Sequence, residues 1–432
     1  MKLAAAAFIG GARGRLLPAS IPFRFFGAAL AYHLLAWLAL LAGAGGLPRF
    51  GGGLGWPLAA LHLVTLGVLV MTALGASLQL LPVATRQTVR FAHAPAAIWW
   101  LYTPAVGAVA LGMGLGHGGL LAVGAVAVVV ALVGYAALLA HNLVGAKGMP
   151  GIVLHGWAAL ASLWVVLASA LALAGAYIGT PLLARDTALA LHVAFAAYGF
   201  MGLLALALSY ILVPMFALAP APDERRVIAS CLLAVAALAL AAVAAFGLAP
   251  QGLRVAAIGL GASSVALHLG QMRVALRSGM RRELGRSFRL VRIGWALLVA
   301  SLAAALAVVL DAPWSGTATL FGIVLIPGWL LTFLLGILQR ILPFLASMHA
   351  ARGSRPPTPS SLSAERPLAI HFVCHLAALA LLVLAVVADS ALVAAAAAGV
   401  GAAGALAFGV FYAVLLRRMR RAAAGPVVPS RT

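Results

Sequence analysis

Acidic side chains are nearly absent. Seven Asp and Glu stand against 28 Lys and Arg in 432 residues. Asp186, Asp223, Glu224, Glu283, Asp311, Glu365 and Asp389 all fall in loops or at the ends of apolar runs. No carboxylate is placed at membrane depth to relay protons or couple a cation, which argues against a proton pump or an ion-coupled transporter. Cysteine is as scarce. Cys231 and Cys374 lie inside apolar runs and no CxxC occurs, so neither a disulfide frame nor a thiolate metal site is expected. Both read as small buried apolar residues. Charged residues make up 8% of the chain, against about 25% in a soluble domain, and no segment fits a soluble domain. The longest interruption, Ala350 to Arg366 with its Pro and Ser cluster, reads as a flexible cytoplasmic loop. Met1 to Pro22 lacks a signal-peptide pattern, because its apolar stretch is short and arginines follow.

Apolar residues are abundant, at 65%. Runs of about 20 recur from end to end, enough to cross a hydrocarbon core of about 30 Å. Barrel-type alternation is missing. The expected fold is all-α, a polytopic membrane protein of about twelve helices at 23–46, 56–85, 95–116, 118–144, 151–177, 187–217, 226–248, 252–278, 288–310, 316–347, 367–388 and 391–416. With the N-terminus inside, 25 of the 28 basic residues lie in cytoplasmic segments or helix ends, all but Arg49, Arg185 and Arg254. The net charge of +21 therefore encodes topology and gives no reason to expect a nucleic-acid partner. Arg281-Arg282 and Arg417-Arg418 suit anionic headgroups. A bacterial-type inner membrane with both termini cytoplasmic follows, with residues 1–22 as a cytoplasmic N-terminal segment and 422–432 as a cytoplasmic tail.

The twelve spans read as one transmembrane domain, 23–421, made of three four-helix repeats at about 23–147, 151–282 and 286–421. The second helix of each set carries a glycine followed fifteen residues later by a proline: Gly67 to Pro82, Gly199 to Pro214, Gly328 to Pro343. The text before each proline matches: Leu80-Leu81, Leu212-Val213, Ile341-Leu342. The first helices carry Gly27-Ala28, Gly156-Trp157 and Gly294-Trp295. Four helices per unit is even, so the copies insert in one orientation, about an axis along the membrane normal, unlike inverted transporter repeats.

Histidine supplies the remaining polar chemistry, with eleven copies. His93, His117 and His349 lie in or near loops. His141 and His155 lie near cytoplasmic helix ends, where hydrogen bonding suffices. His371 and His375 are four apart on one helix face, a spacing that can clamp a metal, but no acidic or cysteine partner is near in sequence. His62 and His192 differ. Each sits about six residues into the second helix of its repeat, five and seven residues before the repeat glycine. An imidazole at that depth needs a partner, and heme iron or copper would supply one. His33, at mid-depth in the first span, and His268, in the eighth, are further candidates. The third repeat has no such histidine.

Twelve spans, three parallel four-helix units and an early histidine in helices two and six together resemble the heme–copper oxidase subunit I fold. The segment from His62 through Gly67 and Gly75 to Pro82 looks especially like the subunit-I-like membrane proteins of that superfamily, of which the NnrS proteins, linked to nitric oxide metabolism, are one branch. The resemblance implies that His62 matches the helix-two ligand of a low-spin heme b and His192 the helix-six copper ligand. It also implies departures. An oxidase couples a tyrosine to its helix-six histidine, and here Tyr198 lies six residues on rather than four. An oxidase has a histidine pair in helix seven and another in helix ten, but neither Val227 to Phe246 nor Thr317 to Ser347 contains any. Helix ten offers Gln339 and Arg340 instead. The complete oxygen- or nitric-oxide-reducing centre is therefore not expected, and a heme on His62 would be five-coordinate or recruit another histidine, with His33 a candidate.

The expected function is a heme-binding, or copper-binding, membrane protein with a redox, electron-transfer or nitric-oxide-related role and other respiratory subunits as partners. The alternatives are a cofactor-free assembly subunit that kept the fold, and a transporter of a small neutral solute.

Overall fold

The computed structural model describes residues 17–87, 93–248, 251–281, 283–350 and 357–424. Among them the chain is helical and strand-free, as hydrocarbon demands, because only a helix satisfies its own backbone groups there. Twelve helices among the described residues are long and apolar enough to cross a membrane. They are α1 (Ser20–Ala42), α2 (Trp56–Ala84), α3 (Ala94–Gly114), α4 (Gly118–Val144), α5 (Pro150–Tyr177), α6 (Arg185–Ala217), α7 (Glu224–Ala245), α8 (Gln251–Ser278), α9 (Gly285–Val309), α10 (Thr317–Ala350), α11 (Glu365–Val387) and α12 (Ala391–Ala424). Most ends fall within three residues of those read from the sequence. The first span starts at Ser20 and α12 continues to Ala424. Residues 1–16 and 425–432, and Arg282 of the expected headgroup-binding pair, lie outside the described residues.

The pairing of helices repeats three times. The first helix of each set packs on the second (α1–α2, α5–α6, α9–α10) and the third on the fourth (α3–α4, α7–α8, α11–α12). The fourth packs on the first of the next set (α4–α5, α8–α9), and α12 returns to α1, closing a ring. The closing seam is tight: the Trp37 ring lies over Gly401, where an added Cβ would come within 2.3 Å of it. The helices α2, α6 and α10 are the most buried of the twelve and form the inner wall. The outer helices present apolar side chains outward, as Val123, Val126 and Val130 do on α4, which suits contact with lipid.

Each inner helix contains a π-helical stretch at the same register: Leu63–Val70, Ala194–Gly202 and Val324–Leu331. Each ends three residues after its repeat glycine. The π turn is rare and concentrates at functional sites, so three at one register mark a shared device. The stretch in α10 touches those in α2 and α6. The glycines allow close approach. A Cβ on Gly67 would lie 2.6 Å from Tyr32 Cβ, and one on Gly199 would lie 2.7 Å from Ser162 Oγ.

Pro82 and Pro214 sit in the last turn of their helices, but α10 runs on from Pro343 to Ala350. One expectation changes. The segment after α10 is not a free loop throughout. Pro359–Leu362 forms a helical turn, Leu362 is buried, and Arg418 of α12 donates to the Ser361 and Ser363 carbonyls.

Candidate functional site

His62 leads directly into the π stretch of α2, and His192 lies two residues before that of α6. Both face one cavity of about 520 Å³ on the inner side of the bundle. Their ring centroids are 6.4 Å apart and their planes differ by 23°. His62 Nδ1 is 3.0 Å from the Leu58 carbonyl, which can only accept, so Nδ1 carries the proton and Nε2 keeps its lone pair. The Ser169 hydroxyl gives its proton to the Val165 and Val166 carbonyls at 2.8 and 3.1 Å. It can therefore only accept from His192 Nδ1, at 3.4 Å, and His192 Nε2 is likewise left as a ligand. Hydrogen bonds of this kind, made by the ring nitrogen away from the metal, orient metal-binding imidazoles.

The rest of the cavity wall is mainly aliphatic and aromatic. The exceptions include Thr65 and, at the end where α2 and α6 begin, Arg185 beside Gly52. Arg185 forms no ion pair among the described residues. The third repeat contributes Phe321 and Ile323 to the same cavity. These stand seven and five residues before Gly328, the registers of His192 and His62, so the third repeat offers no ligand at either register. The cavity fits a heme in three respects: an apolar hollow within the usual size of cofactor sites, two imidazole nitrogens free to ligate, and a guanidinium at the rim for a carboxylate.

His33 does not join this pair. It lies against His371, at 6.3 Å between centroids, and its Nε2 accepts from Trp37 Nε1 at 3.2 Å. His371 and His375, read from the sequence as a lone helical pair, are therefore part of a buried cluster with α1 and α10. Trp37 lines the cavity and separates it from that cluster. His268 lies elsewhere again, against Tyr210 at 4.9 Å, and His155 meets the same tyrosine at 5.5 Å. His155 Nδ1 bonds the Gly151 carbonyl at 2.7 Å, as its helix-end position leads one to expect, but its ring is fully buried. His117 caps α4 by accepting from the Leu120 amide at 3.0 Å. Sequence reasoning missed Arg185 and Ser169 as site residues. Arg185 carried a signal, being one of three basic residues at the sparsely charged end. Ser169 carried none.

Comparison with known protein families and with characterised proteins found no match to this chain.

Proposed function

We propose that this chain is a redox membrane protein of the heme–copper oxidase subunit I type that holds a heme b between His62 and His192 and takes part in electron transfer. The observation that carries the reading is a pair of imidazoles from α2 and α6 that line one apolar cavity 6.4 Å apart between centroids, each hydrogen-bonded through Nδ1. The bound group supplies one-electron chemistry. With His62 and His192 both as its ligands, a bound heme iron would favour electron transfer over capture of oxygen or nitric oxide. The protein's own contribution is positional. Leu58 and Ser169 hold both rings in the ligating tautomer, Arg185 offers its charge to a carboxylate, and the aliphatic wall excludes water. Copper in place of heme iron is the second form of the same reading. We place the strongly basic end of the bundle, with both termini, at the cytoplasmic side of a bacterial-type inner membrane, where other respiratory subunits would be its electron partners.

The test is an optical spectrum of detergent-purified protein, oxidised and dithionite-reduced, with a pyridine hemochrome assay. A stoichiometric Soret band that weakens in His62→Ala and in His192→Ala is expected. A colourless protein from cells well supplied with heme would sink the heme reading. The cavity would then favour the solute-transporter alternative, and copper analysis of the same sample decides the copper form.

A further inference from the structure

A second histidine cluster lies beyond Trp37, and the function proposed above does not use it. His33 of α1 and His371 and His375 of α11 are 1%, 0% and 3% exposed. His371 and His375 stand 5.8 Å apart between centroids with planes within 15°. One nitrogen of each ring has no hydrogen-bond partner: His33 Nδ1, His371 Nε2 and His375 Nδ1. Orphaned buried polar groups are uncommon and need an explanation.

The neighbours fix what each free nitrogen is. Trp37 Nε1–H donates to His33 Nε2 at 3.2 Å. An indole only donates, so His33 carries its proton on Nδ1 and is a free donor. Thr332 spends its hydroxyl proton on the Pro327 carbonyl at 2.9 Å. It must then accept from His375 Nε2–H at 2.7 Å, so His375 Nδ1 is a bare lone pair. The Gln339 amide lies 3.2 Å from His371 Nδ1 and, by turning over, either donates or accepts there. When it accepts, His371 Nε2 is also a lone pair. The cluster thus offers two ligands four residues apart on one helix face and one fixed N–H donor.

We propose that this cluster binds a single first-row transition-metal ion, copper or zinc, through His371 Nε2 and His375 Nδ1, with His33 Nδ1–H donating to a water or hydroxide on the ion. Such an arrangement satisfies all three orphan nitrogens at once; a single water donating to His371 Nε2 and His375 Nδ1 and accepting from His33 Nδ1–H would do the same, and the metal titration below decides between the two. Imidazole ligands without carboxylates select copper or zinc over magnesium or calcium. Among the described residues no three His, Cys, Asp or Glu side chains converge on one ion, in keeping with two protein ligands and a solvent-derived third. Gln339 and Thr332 are the groups that orient the rings.

The experiment uses the full chain in detergent, carrying His62→Ala and His192→Ala to remove the cavity pair. It is stripped with chelator, then titrated separately with Cu²⁺ and Zn²⁺. One ion per chain is expected, and the copper form should show electron-spin hyperfine coupling to two nitrogens, a readout that needs no further variant. His371→Ala or His375→Ala should abolish stoichiometric binding. Gln339→Leu should weaken it about 10–100-fold, while His33→Phe keeps the stoichiometry and alters the coupling to the bound water's protons. Stoichiometric binding that survives the His371→Ala/His375→Ala double variant would be adventitious and overturn the site. So would a parental protein that unfolds cooperatively yet binds neither ion. These outcomes are independent of whether His62 and His192 hold heme.

Discussion

His62 and His192 present near-parallel imidazoles to one another at 6.4 Å, each within two residues of the start of a π-helical stretch. An i→i+5 turn inserts one residue into a helix and shifts everything before it around the axis. The two histidines stand before the π stretches, and the repeat glycines stand within them. The same insertion that lets Gly67 rest on Tyr32 and Gly199 on Ser162 therefore sets the facing of the histidines upstream. In α10 the insertion is present and the histidine is not, so the scaffold is threefold and the site is twofold.

Filling the cavity separates the site from the fold. Ala196 lines the cavity four residues after His192. Ala196→Phe adds an apolar ring to existing empty space and leaves both histidines in place. The expected result is a lower heme-to-protein ratio by pyridine hemochrome, with an unfolding midpoint equal to or above the parent's. Full heme occupancy in this variant would place the heme elsewhere.

The three repeat glycines should differ in their tolerance of a methyl group. A Cβ at Gly67 meets the Tyr32 Cβ and Cγ at 2.6 and 2.7 Å, and one at Gly199 meets Ser162 at 2.7 Å. At Gly328 the nearest atom is the Ile323 carbonyl oxygen at 3.1 Å, and the next lies at 3.6 Å. Overpacking of a filled core costs about 1–3 kcal/mol. Gly67→Ala and Gly199→Ala should each lower stability by that amount, and Gly328→Ala by clearly less. Equal losses at all three positions, measured by thermal unfolding in detergent, would mean that the π stretches and not the helix contacts require glycine.

Much of this architecture is legible in the sequence, for definite reasons. Span positions follow from apolar run length, and the register of Gly67, Gly199 and Gly328 follows from a spacing kept to the proline. The polar interior is less legible. His33 meets His371 across 338 positions of chain, and His155 meets His268 through Tyr210. The first pair joins helices that meet only once the ring has closed, the second joins the first and fourth helices of one set through its inner helix, and one sequence carries no periodicity that announces either. The π stretches are equally silent, because their residues are as apolar as those of any buried helix.

The ion pair between Arg49 and Asp389 offers a negative control. It links the α1–α2 loop to the α11–α12 turn beside the closing seam. Hydrogen bonding to Asp389 and its charge raise the Arg49 guanidinium above its ordinary value. Both side chains are exposed, at 82% and 45%, and exposed pairs contribute little. Asp389→Asn should therefore leave the unfolding midpoint and any heme content unchanged. A substantial loss would assign to that pair the ring closure we attribute to Trp37 and Gly401.

Thr332 should matter far more than its size implies. It is fully buried, donates to the Pro327 carbonyl and accepts from His375 Nε2–H, so one hydroxyl serves two groups on two helices. Thr332→Val keeps the volume and removes the oxygen, which strands the His375 imidazole N–H away from water. Leaving buried groups unpaired costs about 1–3 kcal/mol, and interhelix hydrogen bonds in membrane proteins fall toward the lower part of that range. A loss of about 1–2 kcal/mol on unfolding by SDS titration is expected for Thr332→Val, with Thr332→Ser close to the parent because it restores the oxygen. The two variants separate the hydroxyl from the methyl. If the serine variant is as weak as the valine variant, packing and not hydrogen bonding holds α10 against α11, and the protonation of His375 is not fixed by Thr332.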